Sequence, residues 1–187
     1  MKQTKAEIRK EILKKRQALA PNEVEELSRK VLQNLISQSE KVFPKSVQKI
    51  AFYSPIWGEV DARIFFEYFR KQQKTCLFPK ATDEKLEFFT VNSLSDLSPG
   101  FKGILEPKAQ GPLFPEVLFV PGLAFGQNCF RIGYGKGFYD KTLSKKEASS
   151  LITIGLAYEF QMFPKLPQDP TDVQLHAVLS EKNLYLR

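Results

Sequence analysis

Val117-Leu118-Phe119-Val120-Pro121-Gly122-Leu123-Ala124-Phe125 is the stretch on which the fold turns. Four consecutive apolar residues closed by Pro-Gly read as a strand buried on both faces, as in a parallel sheet covered by helices. The chain then runs into Arg131-Ile132-Gly133-Tyr134-Gly135-Lys136-Gly137-Phe138-Tyr139-Asp140. Glycines 133, 135 and 137 free the backbone for positive φ and remove the Cβ atoms that would hold a ligand off. Such a loop can aim successive N–H groups at an anion, and a helix opening at Phe138 adds its positive end. Arg131 brings a planar fork for phosphate oxygens and Lys136 a mobile point charge. Asp140 is a hard oxygen ligand suited to magnesium. The combination reads as a polyphosphate cradle. It matches neither the dinucleotide nor the P-loop fingerprint, and a tight surface turn with solvated cations uses the same residues.

Working outward, the periodicity alternates between helix and strand. Residues 4–19 read as a helix with Ile8, Ile12 and Leu19 on one side. Lys5, Arg9 and Arg16 form a stripe roughly 40° wide beside them. That stripe is either a solvated face or a row of cations over a phosphate site. Pro21-Asn22 breaks the helix, and Asn22 with Glu25 reads as the capping box of a second helix reaching Ser39, with Val24, Leu27, Val31 and Leu35 inside. Ile50–Tyr53 reads as a strand. Asp61 caps a helix with Ile64, Phe65, Tyr68 and Phe69 inside, and Thr75–Pro79 is the next strand, completing a β-α-β unit. Leu86–Val91 reads as a hairpin partner, 98–115 as connecting chain, 138–148 as a helix and Leu151–Ala157 as a strand. Ala177–Leu179 and Leu184–Leu186 supply the last strands. The fold class is α/β: a three-layer, Rossmann-like, mostly parallel sheet flanked by helices.

The 187 residues fit one domain, residues 1–187, and 42% hydrophobic content with 16 Phe predicts a well-packed core. No run approaches the roughly 18 apolar residues of a membrane span, and Met1-Lys2-Gln3-Thr4-Lys5 does not open an apolar leader. Two cysteines, Cys76 and Cys129, fit neither a disulfide framework nor a zinc site, so a reducing, cytoplasmic setting is expected. A net charge of +7 calls for an anionic partner. The single histidine, His176, excludes a histidine metal cluster and argues against a Ser-His-Asp hydrolase.

In an open parallel sheet, ligands sit beyond the carboxyl ends of the strands. The loops after Tyr53, Phe78 and Val120 should therefore share one crevice. The first brings Tyr53, Trp57 and Glu59, the second Lys80, and the third the glycine run. A flat heterocycle stacked on the aromatics and held by Glu59, beside a nucleotide in the cradle, accounts for these residue types. Taken singly, Trp57 reads equally as a half-buried anchor and Glu59 as an ordinary loop carboxylate.

The sequence resembles the 5-formyltetrahydrofolate cyclo-ligase family along essentially its whole length. The resemblance starts at Lys5-x-x-x-Arg9 and runs through Phe52-Tyr53, Glu59 and Leu77-Phe78-Pro79. It is sharpest in 120–125 and 131–140. It continues through Ile154–Ala157, Gln161, Leu166-Pro167 and Asp172-Val173-Gln174-Leu175. Gly126 and His176 depart from it, each standing where a family member often carries Asp. The resemblance implies a sheet of the NagB/RpiA/CoA-transferase-like kind. It also implies an ATP- and magnesium-dependent closure of 5-formyltetrahydrofolate to 5,10-methenyltetrahydrofolate, with ADP and phosphate released.

By position, Lys5, Arg9 and Arg131, Ile132, Gly133, Tyr134, Gly135, Lys136, Gly137, Phe138 and Tyr139 would touch ATP. Ser54 and Glu59, with Trp57 from the aromatic reading and Tyr134 to Phe138 of the loop, would hold the folate. Asp140 and Asp172 would ligate magnesium, and Lys136 and Arg131 would serve the chemistry. The expected protein is a monomer that binds small molecules and neither nucleic acid nor membrane. Two rivals remain open at this point: a nucleic-acid-binding module built on the basic first helix, and an ATP-independent sugar-phosphate isomerase on a similar sheet.

Overall fold

The structure is a computed structural model that describes residues 3–82, 85–108, 111–145, 148 and 150–187. Its first half contains α1 (Lys5–Gln17), α2 (Pro21–Val42), β1 (Lys49–Ala51), α3 (Ala62–Lys71), β2 (Thr75–Ala81), β3 (Leu86–Thr90), β4 (Leu97–Pro99) and β5 (Leu105–Pro107). Its second half contains β6 (Val117–Val120), β7 (Ala124–Gly126), β8 (Arg131–Ile132), α4 (Phe138–Leu143), β9 (Ile152–Leu156), β10 (Met162–Phe163), β11 (Ala177–Leu179) and β12 (Leu184–Leu186).

The main sheet has the order β12-β11-β9-β6-β1-β2-β3. The inner neighbours pair in parallel, while β3 and β12 close the edges antiparallel. Successive side chains of β6 point to opposite faces. Val117 and Phe119 join the cluster under α2 and α3, with Val31, Leu35, Phe52, Phe65, Phe66, Phe69 and Phe78. Leu118 and Val120 join the cluster on the other face, with Leu77, Leu143 and Val178. Phe52 lies within 6.2 Å, centroid to centroid, of Phe66, Phe69, Phe78 and Phe119, so one ring organises that face. The fold is thus a mostly parallel sheet flanked by helices, as the apolar runs predict.

Several local expectations change. Helix α1 starts behind Thr4, whose hydroxyl accepts the Glu7 N–H at 3.3 Å while the Glu7 carboxylate accepts Thr4 N–H at 2.7 Å. Helix α2 starts at Pro21, not behind an Asn22–Glu25 box. Proline has no N–H to leave unpaired in a first turn, and the Glu23 carboxylate takes the Ala20 N–H at 2.7 Å. Glu25 instead pairs with Arg29. On α3 the buried residues are Ala62, Phe65, Phe66 and Phe69, so the apolar stripe is rotated toward Phe66 from the expected Ile64 and Tyr68. Residues 98–115 hold the β4–β5 hairpin as well as connecting chain. Helix α4 ends at Leu143, short of the expected 148; residues 146 and 147 lie outside the described residues. Strands β7, β8 and β10, unforeseen in the sequence, make a small second sheet on which Ile8 and Ile12 of α1 pack.

Strand order reverses between β1 and β6: the chain goes outward to β2 and β3, then returns to β6 and moves on to β9 and β11. A crevice opens at such a switch point, beyond the carboxyl ends of the strands.

Candidate active site

That crevice is a cavity of about 850 Å³. The loops after β1 and β6 meet in it as expected, through Tyr53, Ser54, Trp57, Glu59 and Pro121. From β2 it receives Pro79 and Ala81. Lys80 is exposed and does not line it: β2 continues through Ala81, and strand alternation turns Lys80 to the opposite side from its two neighbours.

The turn after β1 is held from within. Trp57 has φ 48° and Gly58 φ 71°, both left-handed. A Cβ on Gly58 would meet the Arg16 carbonyl oxygen at 2.6 Å, so the turn needs glycine there. Tyr53 donates to the Val60 carbonyl at 2.8 Å and Tyr158 to the Glu59 carbonyl at 3.0 Å. The Glu59 side chain, 4% exposed, accepts the Ile56 N–H at 3.0 Å and the Tyr134 hydroxyl at 3.0 Å. Burial pushes its carboxyl up to about 6, against the opposing pull of Arg16, the Ile56 N–H and Tyr134. Trp57 stays 56% exposed, with its indole edge-on to the Tyr134 ring at 5.2 Å. Ser54 gives its hydroxyl proton to the Leu105 carbonyl at 2.5 Å and so ties in the β4–β5 hairpin.

The glycine run enters as β8 and lines the cavity, and α4 opens behind Gly137, the helix start that the sequence predicts. Gly135 and Gly137 have φ of 90° and 69°. Gly133 serves differently from the expected positive φ: a Cβ there would lie 2.7 Å from Arg131 Nη1, so its absence makes room for the guanidinium. Arg131 is buried, pairs with Asp140 at 3.1 Å and lies over the Tyr139 ring at 5.4 Å, while its Nε has no hydrogen-bond partner among the described residues. Gly135 and Lys136 are exposed, and Lys136 makes no ion pair among the described residues. Ile132 and Phe138 also line the cavity.

Helix α1 forms the remaining wall, and its cationic stripe faces inward and not toward solvent. Arg9 donates to the Gly133 carbonyl at 2.8 Å, tying the helix to the glycine run. Lys5 reaches Asp172 at 2.5 Å and Asp169 at 2.7 Å. Partial burial pulls its ammonium pKa down, but the two carboxylates outweigh this and leave it raised. Asp140 and Asp172 therefore both face the cavity with a cation as partner, and the Val173 N–H lies 3.5 Å from Asp140. No group of three Asp, Glu, His or Cys suited to a metal occurs among the described residues.

Two contributions escaped the sequence. Arg16, expected on the same stripe as Lys5 and Arg9 but given no role there, is 0% exposed. Its signal was the shared helical face with Lys5 and Arg9, both of which line the cavity. The β4–β5 hairpin contributes Phe101, Lys102, Ile104 and Glu106, and Phe101 packs edge-on against Phe138 at 5.7 Å. Gly100 and Gly103 between apolar strands were the cue. His176 lies outside the cavity lining; its Nδ1 accepts the Thr153 N–H at 3.1 Å across β9 and β11.

Fold and site define a class: a parallel-sheet α/β protein in which a glycine-rich run with cations faces a buried carboxylate across one crevice. Comparison with known proteins narrows the class. A model of the 5-formyltetrahydrofolate cyclo-ligase family matches residues 1–181, and the chain belongs to that family, whose curated members are ligases. The 5-formyltetrahydrofolate cyclo-ligase of Mycoplasma pneumoniae is 30% identical over 177 residues, covering 94% of this chain and 97% of that protein. The Haemophilus influenzae protein of the same name is 30% identical over 185 residues, covering 95% and 97%. In the solved structures, the 5,10-methenyltetrahydrofolate synthetase of Aquifex aeolicus superposes with a TM-score of 0.83 at 36% identity, covering 97% of this chain and 92% of that one. No helix among the described residues is long and apolar enough to cross a membrane.

Proposed function

We propose that this chain converts 5-formyltetrahydrofolate to 5,10-methenyltetrahydrofolate at the expense of ATP, with ADP and phosphate as the other products. The observation that carries the proposal is the single cavity in which the glycine run, Arg131, Lys136, Lys5 and Arg9 face Glu59 and Trp57. Cations and glycine amides are the chemistry of a triphosphate, while a buried carboxylate beside an exposed indole is the chemistry of a flat, hydrogen-bonding heterocycle.

The formyl oxygen is a poor leaving group. Transfer of the γ-phosphoryl to it breaks the bond to ADP and makes a good one. N10 then attacks the formyl carbon and loses its proton, and phosphate departs with the former formyl oxygen. Phosphoryl transfer asks the protein for positioning and charge, not for a covalent partner. Lys136 and Arg131 stabilise charge on the transferring group, while Lys5, Arg9 and the amides of 132–139 hold the rest of the triphosphate. Ser54, Trp57, Glu59 and the Tyr134–Phe138 face of the loop hold the folate, with the Glu59 carboxylate as acceptor for the heterocycle's N–H groups.

Asp140 and Asp172 fit magnesium as hard oxygen donors lining the cavity beside the phosphate-binding cations. Two carboxylates leave most of the shell to phosphate oxygens and water, as magnesium prefers. When bound, the ion neutralises phosphate charge. The test is direct: incubate the protein with 5-formyltetrahydrofolate and follow the absorbance of the methenyl product. Product should form only with ATP and magnesium together. Product formed without ATP shows a dehydrative closure that needs no phosphoryl transfer and overturns the ATP-dependent route, and no product under any condition rejects the proposal.

A further inference from the structure

Arg16 sits where the turns after β1 and β6 meet the glycine run, yet it is not among the cavity-lining residues. It comes from α1, and its guanidinium donates to four partners. Nε and Nη2 reach the Trp57 carbonyl at 3.1 and 3.0 Å, Nη2 reaches the Ile56 carbonyl at 3.2 Å, and Nη1 reaches the Gly122 carbonyl at 3.0 Å. Nη2 also donates to the Tyr134 hydroxyl, which in turn donates to Glu59. Nη1 lies 3.7 Å from the Glu59 carboxylate, and the guanidinium sits 5.7 Å from the Tyr134 ring centroid. One side chain thus touches the turn after β1, the turn after β6 and the glycine run. A lysine has one point charge and could not span that fork.

We infer that Arg16 is a positioning residue: its buried guanidinium locks the Ile56–Gly58 turn and the Tyr134 hydroxyl to each other, so that Glu59 and the glycine run take their working places together. This rests on the reaction proposed above and deepens it, because it makes folate binding depend on a residue that touches neither substrate. Two of the three carbonyls that Arg16 holds, those of Ile56 and Trp57, belong to the turn in which Trp57 takes its left-handed φ. Around Glu59 the titratable and charged groups are Arg16 from α1, Tyr53 at the end of β1, Tyr134 from the glycine run, Tyr139 from α4 and Tyr158 after β9. Arg16 and Tyr134 are the two side chains among these that favour the Glu59 carboxylate over its protonated form. Removing either should therefore push the Glu59 pKa further up.

The experiment compares Arg16→Met, Tyr134→Phe and the double variant with the parent, using circular dichroism to confirm folding. The assay measures kcat/KM for 5-formyltetrahydrofolate against pH with saturating magnesium and ATP. Each single variant should raise the folate KM by about tenfold, the scale of one hydrogen bond to a charged group. Each should also move the acid limb of the profile to higher pH. The double variant should be no worse than the more severe single one, because both break one network. A merely structural role for Arg16 lowers the folded fraction but leaves the limb in place. If Arg16→Met does not fold, Arg16→Lys, which keeps a charge but not the fork, decides: a raised folate KM in the folded variant supports the inference and an unchanged one overturns it. Additive losses also overturn it. A parent protein that makes no product from 5-formyltetrahydrofolate and Mg-ATP rejects the proposed reaction and this inference together; normal turnover with unmoved limbs rejects the inference alone.

Discussion

The two sides of the cavity are built on opposite terms. The turn at 56–59 is a finished wall: Glu59 is buried, its carboxylate oxygens already have partners within the protein, and Arg16, Tyr53 and Tyr158 hold the surrounding backbone. The glycine run at 135–136 is exposed, and Lys136 makes no ion pair among the described residues. The difference assigns different work to each side. A pre-set wall gives up little conformational entropy when it receives a ligand, so it suits recognition. An exposed arm whose Lys136 makes no ion pair among the described residues suits stabilisation of charge that develops during reaction.

Substitutions can break or sharpen that contrast. The largest effect is expected from Lys136→Ala: kcat should fall by about two orders of magnitude or more, the scale for losing one transition-state donor, with the melting midpoint unchanged. Steady-state kinetics beside a thermal melt reads both, and near-normal kcat would remove Lys136 from the arm's work. Next comes Glu59→Gln. It should raise the folate KM by about 10- to 100-fold with a smaller effect on kcat, and it should abolish the acid limb. The limb is expected near pH 6, because burial raises the Glu59 pKa to about 6 and the acceptor form is lost below it. Folate binding unchanged in this variant would detach the wall from recognition. Gly58→Ala tests the wall's rigidity. With φ at 71° and the Arg16 carbonyl 2.6 Å from the new Cβ, it should cost about 1–3 kcal/mol in urea unfolding. The smallest effect is expected from Asp140→Asn, which should move the midpoint of a magnesium titration to higher concentration without changing the fold. An unaltered titration would speak against ligation there.

The sequence made the sheet legible because its strands are buried on both faces. Val117–Val120 and Ile152–Leu156 are continuous apolar runs, and no helical reading of such short segments competes with Pro121-Gly122 behind the first. The glycine run was legible for a local reason: its chemistry is contiguous. Arg16 was not, because helical periodicity places a cation on a stripe but does not say what covers that stripe. Its partners lie 40, 41, 106 and 118 positions away in the chain. The β4–β5 hairpin was hidden for a related reason, since strands as short as 97–99 and 105–107 carry too few residues for a period to show. Lys80 was misplaced by one residue of strand, enough to turn a side chain to the other face.

The most direct test of the account follows the formyl oxygen itself. With 5-formyltetrahydrofolate labelled at that atom with oxygen-18, mass spectrometry of the phosphate released during turnover should find the label in it, one atom per methenyl product formed. Unlabelled phosphate beside full turnover would show that the γ-phosphoryl group never reaches the formyl oxygen, and the role given to the cavity's cations would fall.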